Sequence, residues 1–142
     1  MDGHKFSILH IEDDIVDTMV VERILRKKNL VSELYHAKNG VEALDLLRGK
    51  NGKNIRPEII LLDLNMPKMS GLEFLKELRA DDDLKSIKVY VLTTSDDVND
   101  KKSAYEYNVS GYIIKPINAM EFENVFDVLK DFWTLNQKNK EA

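Results

Sequence analysis

Four short apolar runs punctuate the chain: Ile8-Leu9-His10-Ile11, Ile59-Ile60-Leu61-Leu62, Val89-Tyr90-Val91-Leu92 and Tyr112-Ile113-Ile114. None alternates with polar residues, which is the pattern of strands covered on both faces in a parallel sheet. Between them lie segments with helical spacing: Val16, Met19, Val20 and Ile24; then Val41, Leu44 and Leu47; then Leu72, Leu75 and Leu78. A last stripe, Phe122, Val125, Phe126, Leu129 and Phe132, reads as the core face of a closing helix. Leu34-Tyr35-His36-Ala37 alternates weakly and fits a strand nearer a sheet edge. The rhythm predicts a doubly wound α/β domain of five parallel strands and five helices.

Local punctuation agrees with these boundaries. Asn39-Gly40 and Ser70-Gly71 open the second and third helices, Asp14 is placed to cap the first, and Asn108 tolerates the left-handed conformation of a helix stop. The stretch from Gly49 to Pro57, with Lys50, Gly52, Lys53 and Arg56, reads as a mobile surface loop, and the polar segment 136–142 as a fraying tail. The whole chain, 1–142, is expected to be one domain with a core over about residues 5–135.

Composition narrows the function classes. The apolar fraction of 43% supports a sizeable core, and 25 acidic against 21 basic side chains leave a net charge of −4. With the basic residues scattered, no electrostatic grip on nucleic acid or anionic lipid is expected. The absence of cysteine excludes disulfides and thiol chemistry, and no stretch approaches the apolar length of a bilayer span, so a cytoplasmic protein is expected. His10 lies within a buried-type strand and reads as a satisfied core residue.

Ligands of an open parallel sheet bind beyond the carboxyl ends of its strands, and here those ends are acidic. The first strand runs into Glu12-Asp13-Asp14 and the third into Asp63-Leu64-Asn65-Met66-Pro67. Glu12, Asp13 and Asp63 in one cleft repel one another unless a hard cation neutralises them. Carboxylate, backbone carbonyl and water oxygens suit magnesium, and magnesium in turn implies phosphate. The fourth strand ends in Thr93-Thr94-Ser95, with hydroxyl donors, and the fifth in Lys115-Pro116, with an ammonium. A carboxylate facing a metal-bound phosphoryl group suggests an aspartyl phosphate. Asp63 is the expected nucleophile, since it follows the more central strand and the backbone carbonyl of Asn65, two residues on, can complete the metal shell.

These residues resemble a bacterial response-regulator receiver domain over about Lys5 to Leu135. The resemblance implies a flavodoxin-like sheet in the order 2-1-3-4-5. Residue by residue it implies Glu12 and Asp13 as the acidic pair, Asp63 as the phosphoacceptor and Asn65 as a carbonyl ligand of Mg2+. Thr93 is then the switch hydroxyl, Tyr112 the switch aromatic and Lys115 the phosphoryl-binding lysine, with Lys115-Pro116 in the cis form. It further implies a sensor histidine kinase as phosphodonor, a downstream protein or phosphorelay partner, and catalysis of the chain's own phosphorylation rather than turnover of an external substrate. Leu92-Thr93-Thr94-Ser95, the long loop before Pro57, the Arg79-Ala80-Asp81 helix end and the closing Phe132-Trp133 resemble the single-domain regulators that partner bacterial phytochromes.

Other readings fit less well. A haloacid-dehalogenase-type phosphatase also uses aspartate, magnesium and lysine, but Asp63-Leu64-Asn65-Met66 lacks the second aspartate of that motif. A dinucleotide fold needs a Gly-rich turn where Glu12-Asp13-Asp14 stands. A pseudo-receiver used only for contact does not require the complete constellation. Met120, Val128, Trp133 and Leu135 exceed the core stripe of the last helix and suggest a partner surface, including a homodimer contact.

Overall fold

The computed structural model describes residues 4–50, 52 and 54–141, and only the backbone of residues 132, 133 and 136–141. Strands β1 (Phe6–Ile11), β2 (Val31–Ala37), β3 (Ile59–Leu62), β4 (Lys88–Thr93) and β5 (Gly111–Ile114) alternate with helices α1 (Ile15–Lys27), α2 (Gly40–Arg48), α3 (Gly71–Ala80), α4 (Val98–Glu106) and α5 (Ala119–Glu141). All strand pairs are parallel, in the order β2-β1-β3-β4-β5. Every residue of β3 is buried, as its central place requires, and β2, at an edge, exposes three of its seven residues. Among the described residues no helix is long and apolar enough to cross a membrane.

Two apolar layers enclose the sheet. Leu9, Ile11, Ile60 and Leu62 point into one with Leu44, Leu47, Phe74, Leu75, Leu78 and Ala104, so α2, α3 and α4 share that face. Ile8, Leu61 and Leu92 point into the other with Val21, Leu25, Phe122, Phe126 and Leu129, which places α1 and α5 there. Phe122 and Phe126 meet edge to face at 5.4 Å between ring centroids, a favoured aromatic geometry. Because α1 and α3 lie on opposite faces, the chain changes sides between neighbouring strands β1 and β3, and a cleft opens there at the carboxyl edge.

Side-chain caps set the helix starts. Asp14 accepts from the Val16 and Asp17 amides, Asn39 from Glu42 and Ser70 from Glu73, each satisfying donors left over in a first turn. Beyond α4, Asn108 takes φ 58°, the left-handed conformation expected of it.

Several expectations are corrected. On α1 the buried positions are Val21 and Leu25, whereas Val16, Met19 and Val20 are exposed and Ile24 is only partly covered. The helix carries two apolar stripes, and the sheet covers one. Val41 is likewise exposed, and α2 buries Ala43 beside Leu44 and Leu47. The second half of the loop before Pro57 is pinned: Ile55 packs on the core and its amide donates to the Leu46 carbonyl at 3.1 Å, while Arg56 donates to the Leu47 carbonyl. Segment 136–141 continues α5 as helix, for which its Gln, Lys and Glu residues have good propensity. The expectations for the Phe132 and Trp133 side chains fall outside the described residues.

His10 is buried as expected but not satisfied. Its Nε2 is the one buried side-chain nitrogen or oxygen without a hydrogen-bond partner among the described residues. Burial, reinforced by His36 and Lys115, pushes its pKa down to about 3. The unfolded chain therefore binds a proton below about pH 6.5 that the native protein refuses, and stability falls as pH drops through that window. We expect His10→Leu to gain about 2 kcal/mol over wild type at pH 5, from roughly 1.4 kcal/mol per pH unit, and less at pH 8. Urea melts at both pH values measure the difference, and parallel profiles would exclude a buried neutral imidazole.

Candidate phosphoacceptor site

Four of the five strands carry the candidate residues at or just beyond their carboxyl ends. Glu12 and Asp13 follow β1, Asp63 follows β3, Thr93 ends β4, and Lys115 follows β5. The backbone continues the ladders past the strand ends: the Glu12 amide donates to the Ala37 carbonyl at 3.0 Å, Asp63 to Ile11 at 3.1 Å and Lys115 to Thr93 at 2.8 Å. The chemistry thus rests on rigid strand ends rather than on loop tips. Lys115-Pro116 is cis, as the resemblance implies.

Glu12, Asp13 and Asp63 each offer a carboxylate oxygen within 4.8 Å of the others. They line a cleft of about 530 Å³ together with Asp17, Asn65, Thr94 and Lys115. The donor set is oxygen only, which fits a hard divalent cation and not a soft one. Glu12 and Asp63 are buried, at 1% and 6% exposure, whereas Asp13 is exposed. Burial, with a contribution from Asp63, raises the Glu12 pKa to about 7, and Lys115 opposes the shift.

Lys115 is the counter-charge. Its Nζ lies 2.5 Å from Glu12 Oε1, 2.7 Å from Asp17 Oδ2 and 3.4 Å from Asp63 Oδ2. Burial works against its charge, but the hydrogen bonds it donates to Asp17 and Glu12 more than offset that, and its pKa is raised. The other Asp63 oxygen, Oδ1, accepts from the Asn65 amide at 3.1 Å.

Glu12, Asp13, Asp63, Asn65 and Lys115 therefore share one cleft, while the two switch candidates stand differently. Thr93 is fully buried and its Oγ1 accepts from the Ser95 amide at 3.3 Å; the neighbouring Thr94 lines the cleft instead. Tyr112 lies outside it and donates its hydroxyl to the Ser95 carbonyl at 2.9 Å. One residue, Ser95, thus touches both, through its amide and its carbonyl. Asp14 caps α1 and is not among the converging carboxylates. Asp17 went unrecognised in the sequence, although its position four residues after Asp13, in the first turn of a helix, is a legible signal.

Known proteins share the sequence pattern and the fold of this chain. The family model described as response regulator receiver domain matches residues 8–127. Response regulator Rcp1 of Synechocystis sp. is 36% identical over 128 residues, covering 89% of this chain and 87% of that protein. The crystal structure of its Mn2+-bound form has a TM-score of 0.75 at 35% identity, over 89% of this chain and 92% of the other. The phosphorylated cyanobacterial phytochrome response regulator RcpA has a TM-score of 0.78 at 32% identity, over 92% and 95%. With strand order, strand-end chemistry and these likenesses in agreement, the chain belongs to the response regulator receiver domain family.

Proposed function

We propose that Asp63 accepts a phosphoryl group from the phosphohistidine of a sensor kinase. The observation that carries the reading is its carboxylate at the end of the central strand, 3.4 Å from the Lys115 ammonium and within 4.8 Å of the Glu12 and Asp13 oxygens. Asp63 Oδ forms the bond to phosphorus as the bond from phosphorus to the donor nitrogen breaks. Lys115 and the Asn65 amide orient the carboxylate. Glu12, Asp13, Asp63 and the Asn65 carbonyl would hold Mg2+, which would supply positive charge to the phosphoryl oxygens. The likeness to Rcp1 and to RcpA supports a phytochrome-type histidine kinase as donor. Phosphotransfer from purified histidine kinases tests this pairing, and equal rates from unrelated kinases would remove the phytochrome assignment.

The output follows from the backbone of Ser95. Turning the Thr93 hydroxyl toward a phosphoryl oxygen takes it from the Ser95 amide, and the Ser95 carbonyl is what holds Tyr112. Ser95 Oγ also donates to Asp100 at 2.5 Å, in the first turn of α4. The face of α4, β5 and α5 is thereby tied to the cleft, and its exposed Met120, Val128 and Leu135 are suited to a protein partner, a homodimer included. Thr93→Ala and Tyr112→Ala are expected to leave Asp63 reactive while reducing the phosphorylation-dependent change in association, a coupling of about 1–3 kcal/mol. Sedimentation with and without phosphodonor measures it; a wild type monomeric in both states would leave only a heterologous partner.

A further inference from the structure

The Lys115 ammonium has three N–H donors, and carboxylates take all of them. Glu12 and Asp17 stand at 2.5 and 2.7 Å, and Asp63 at 3.4 Å. The cation therefore rests nearer to two carboxylates that do not accept the phosphoryl group than to the one that does. Those two are not equivalent. The Glu12 side chain is 1% exposed and also accepts from the Asp14 amide, whereas the Asp17 side chain is 34% exposed at the start of α1. Opening the Glu12 pair leaves a charge stranded out of water, while opening the Asp17 pair exposes a carboxylate that water reaches. Asp17 is also outside the group of three carboxylates that converge on the cation site.

We propose that Asp17 is a positioning residue that holds Lys115 in a resting place off Asp63, and that the ammonium passes from Asp17 to the phosphoryl oxygens when Asp63 is occupied. The inference rests on Asp63 as the acceptor. A phosphoryl group on Asp63 brings additional anionic oxygens toward Lys115, which has no free donor until one carboxylate is released. Asp17 is the partner released at least cost. Its charge makes the resting state more favourable without contributing to the occupied one, so Asp17 sets how tightly the cleft holds a phosphoryl group.

Beryllofluoride with Mg2+, a phosphoryl mimic, reads this directly. Asp17→Asn is expected to bind it several-fold more tightly than wild type, and Asp17→Glu, which restores the charge, to return toward the wild-type affinity. The 15N resonance of the Lys115 ammonium is expected to shift in Asp17→Asn before any ligand is added. In a Lys115→Met background the Asp17→Asn change is expected to leave affinity unaltered, because the competition runs through the lysine. Asp17→Thr serves as a second variant should the first fail to fold. Equal or weaker binding by a folded Asp17 variant, or the same gain without Lys115, would overturn the proposal alone. Wild-type affinity in Asp63→Asn would overturn the acceptor reading and this proposal with it.

Discussion

Asp63→Asn is expected to abolish labelling by acetyl phosphate and Mg2+, read as intact mass, where wild type gains a single phosphoryl group, and located by borohydride reduction, which converts the aspartyl phosphate to homoserine with loss of phosphate. The amide nitrogen has its lone pair delocalised and the amide oxygen carries no full charge, so the nucleophile is lost while the shape is kept. No neighbouring carboxylate is placed to substitute. Glu12 is engaged by Lys115 at 2.5 Å, and Asp13 lies on the exposed side of the cleft. Label that persists in Asp63→Asn, or maps to a histidine, would end the assignment.

The same variant carries a stability consequence of opposite sign. With no divalent cation, three carboxylates within 4.8 Å repel, and relieving one is expected to stabilise the fold by about 1 kcal/mol. The pH dependence follows from Glu12. Its native pKa of about 7 lies above its ordinary value near 4.5, so across that window the native protein holds a proton that the unfolded chain releases. Metal-free stability contributed by this group is present below pH 4.5 and lost as pH rises through 7. Because Asp63 helps to raise that pKa, Asp63→Asn should flatten the decline, and Mg2+ should narrow the gap between the two proteins. Urea melts from pH 5 to 8 with and without Mg2+ decide it; a destabilised Asn variant would argue against a shared acidic cleft.

The largest expected loss of stability comes from a residue with no chemistry. A Cβ on Gly71 would lie 2.6 Å from the Asp63 carbonyl oxygen and 2.6 Å from the Leu64 Cα, both backbone atoms that cannot rotate away. The close approach is fixed by the Gly71 amide, which donates to the Leu64 carbonyl at 2.9 Å. Gly71→Ala is therefore expected to cost on the order of 3 kcal/mol, the upper range for overpacking, and to slow phosphorylation, since the peptide pushed aside carries the acceptor. Ser70→Ala is the control: it loses the cap on the Glu73 amide, about 1 kcal/mol, without touching Asp63. Thermal melts and labelling rates on both variants measure this, and a Gly71→Ala protein as stable as Ser70→Ala would show that α3 can shift freely against β3.

The apolar runs and the capping residues by themselves determined the alternation of strands and helices. Both are local signals: a strand covered on two faces has no polar alternation, and a cap acts within one turn. The acidic strand ends also marked the cleft from sequence, because a parallel sheet sends all its carboxyl ends to one edge and Glu12, Asp13, Asp63 and Lys115 follow three of the four apolar runs. Which of two apolar stripes on α1 is buried could not be read locally. Val16, Met19, Val20 and Ile24 fit helical spacing as well as Val21 and Leu25 do, and only docking on the sheet selects between them. Gly71 likewise looks like a simple helix opening until the backbone of Asp63 and Leu64 is set against it. The partition of the Lys115 ammonium among Glu12, Asp17 and Asp63 belongs wholly to the tertiary structure, because distances of 2.5, 2.7 and 3.4 Å between residues up to 103 positions apart arise only when three separate strands and a helix meet.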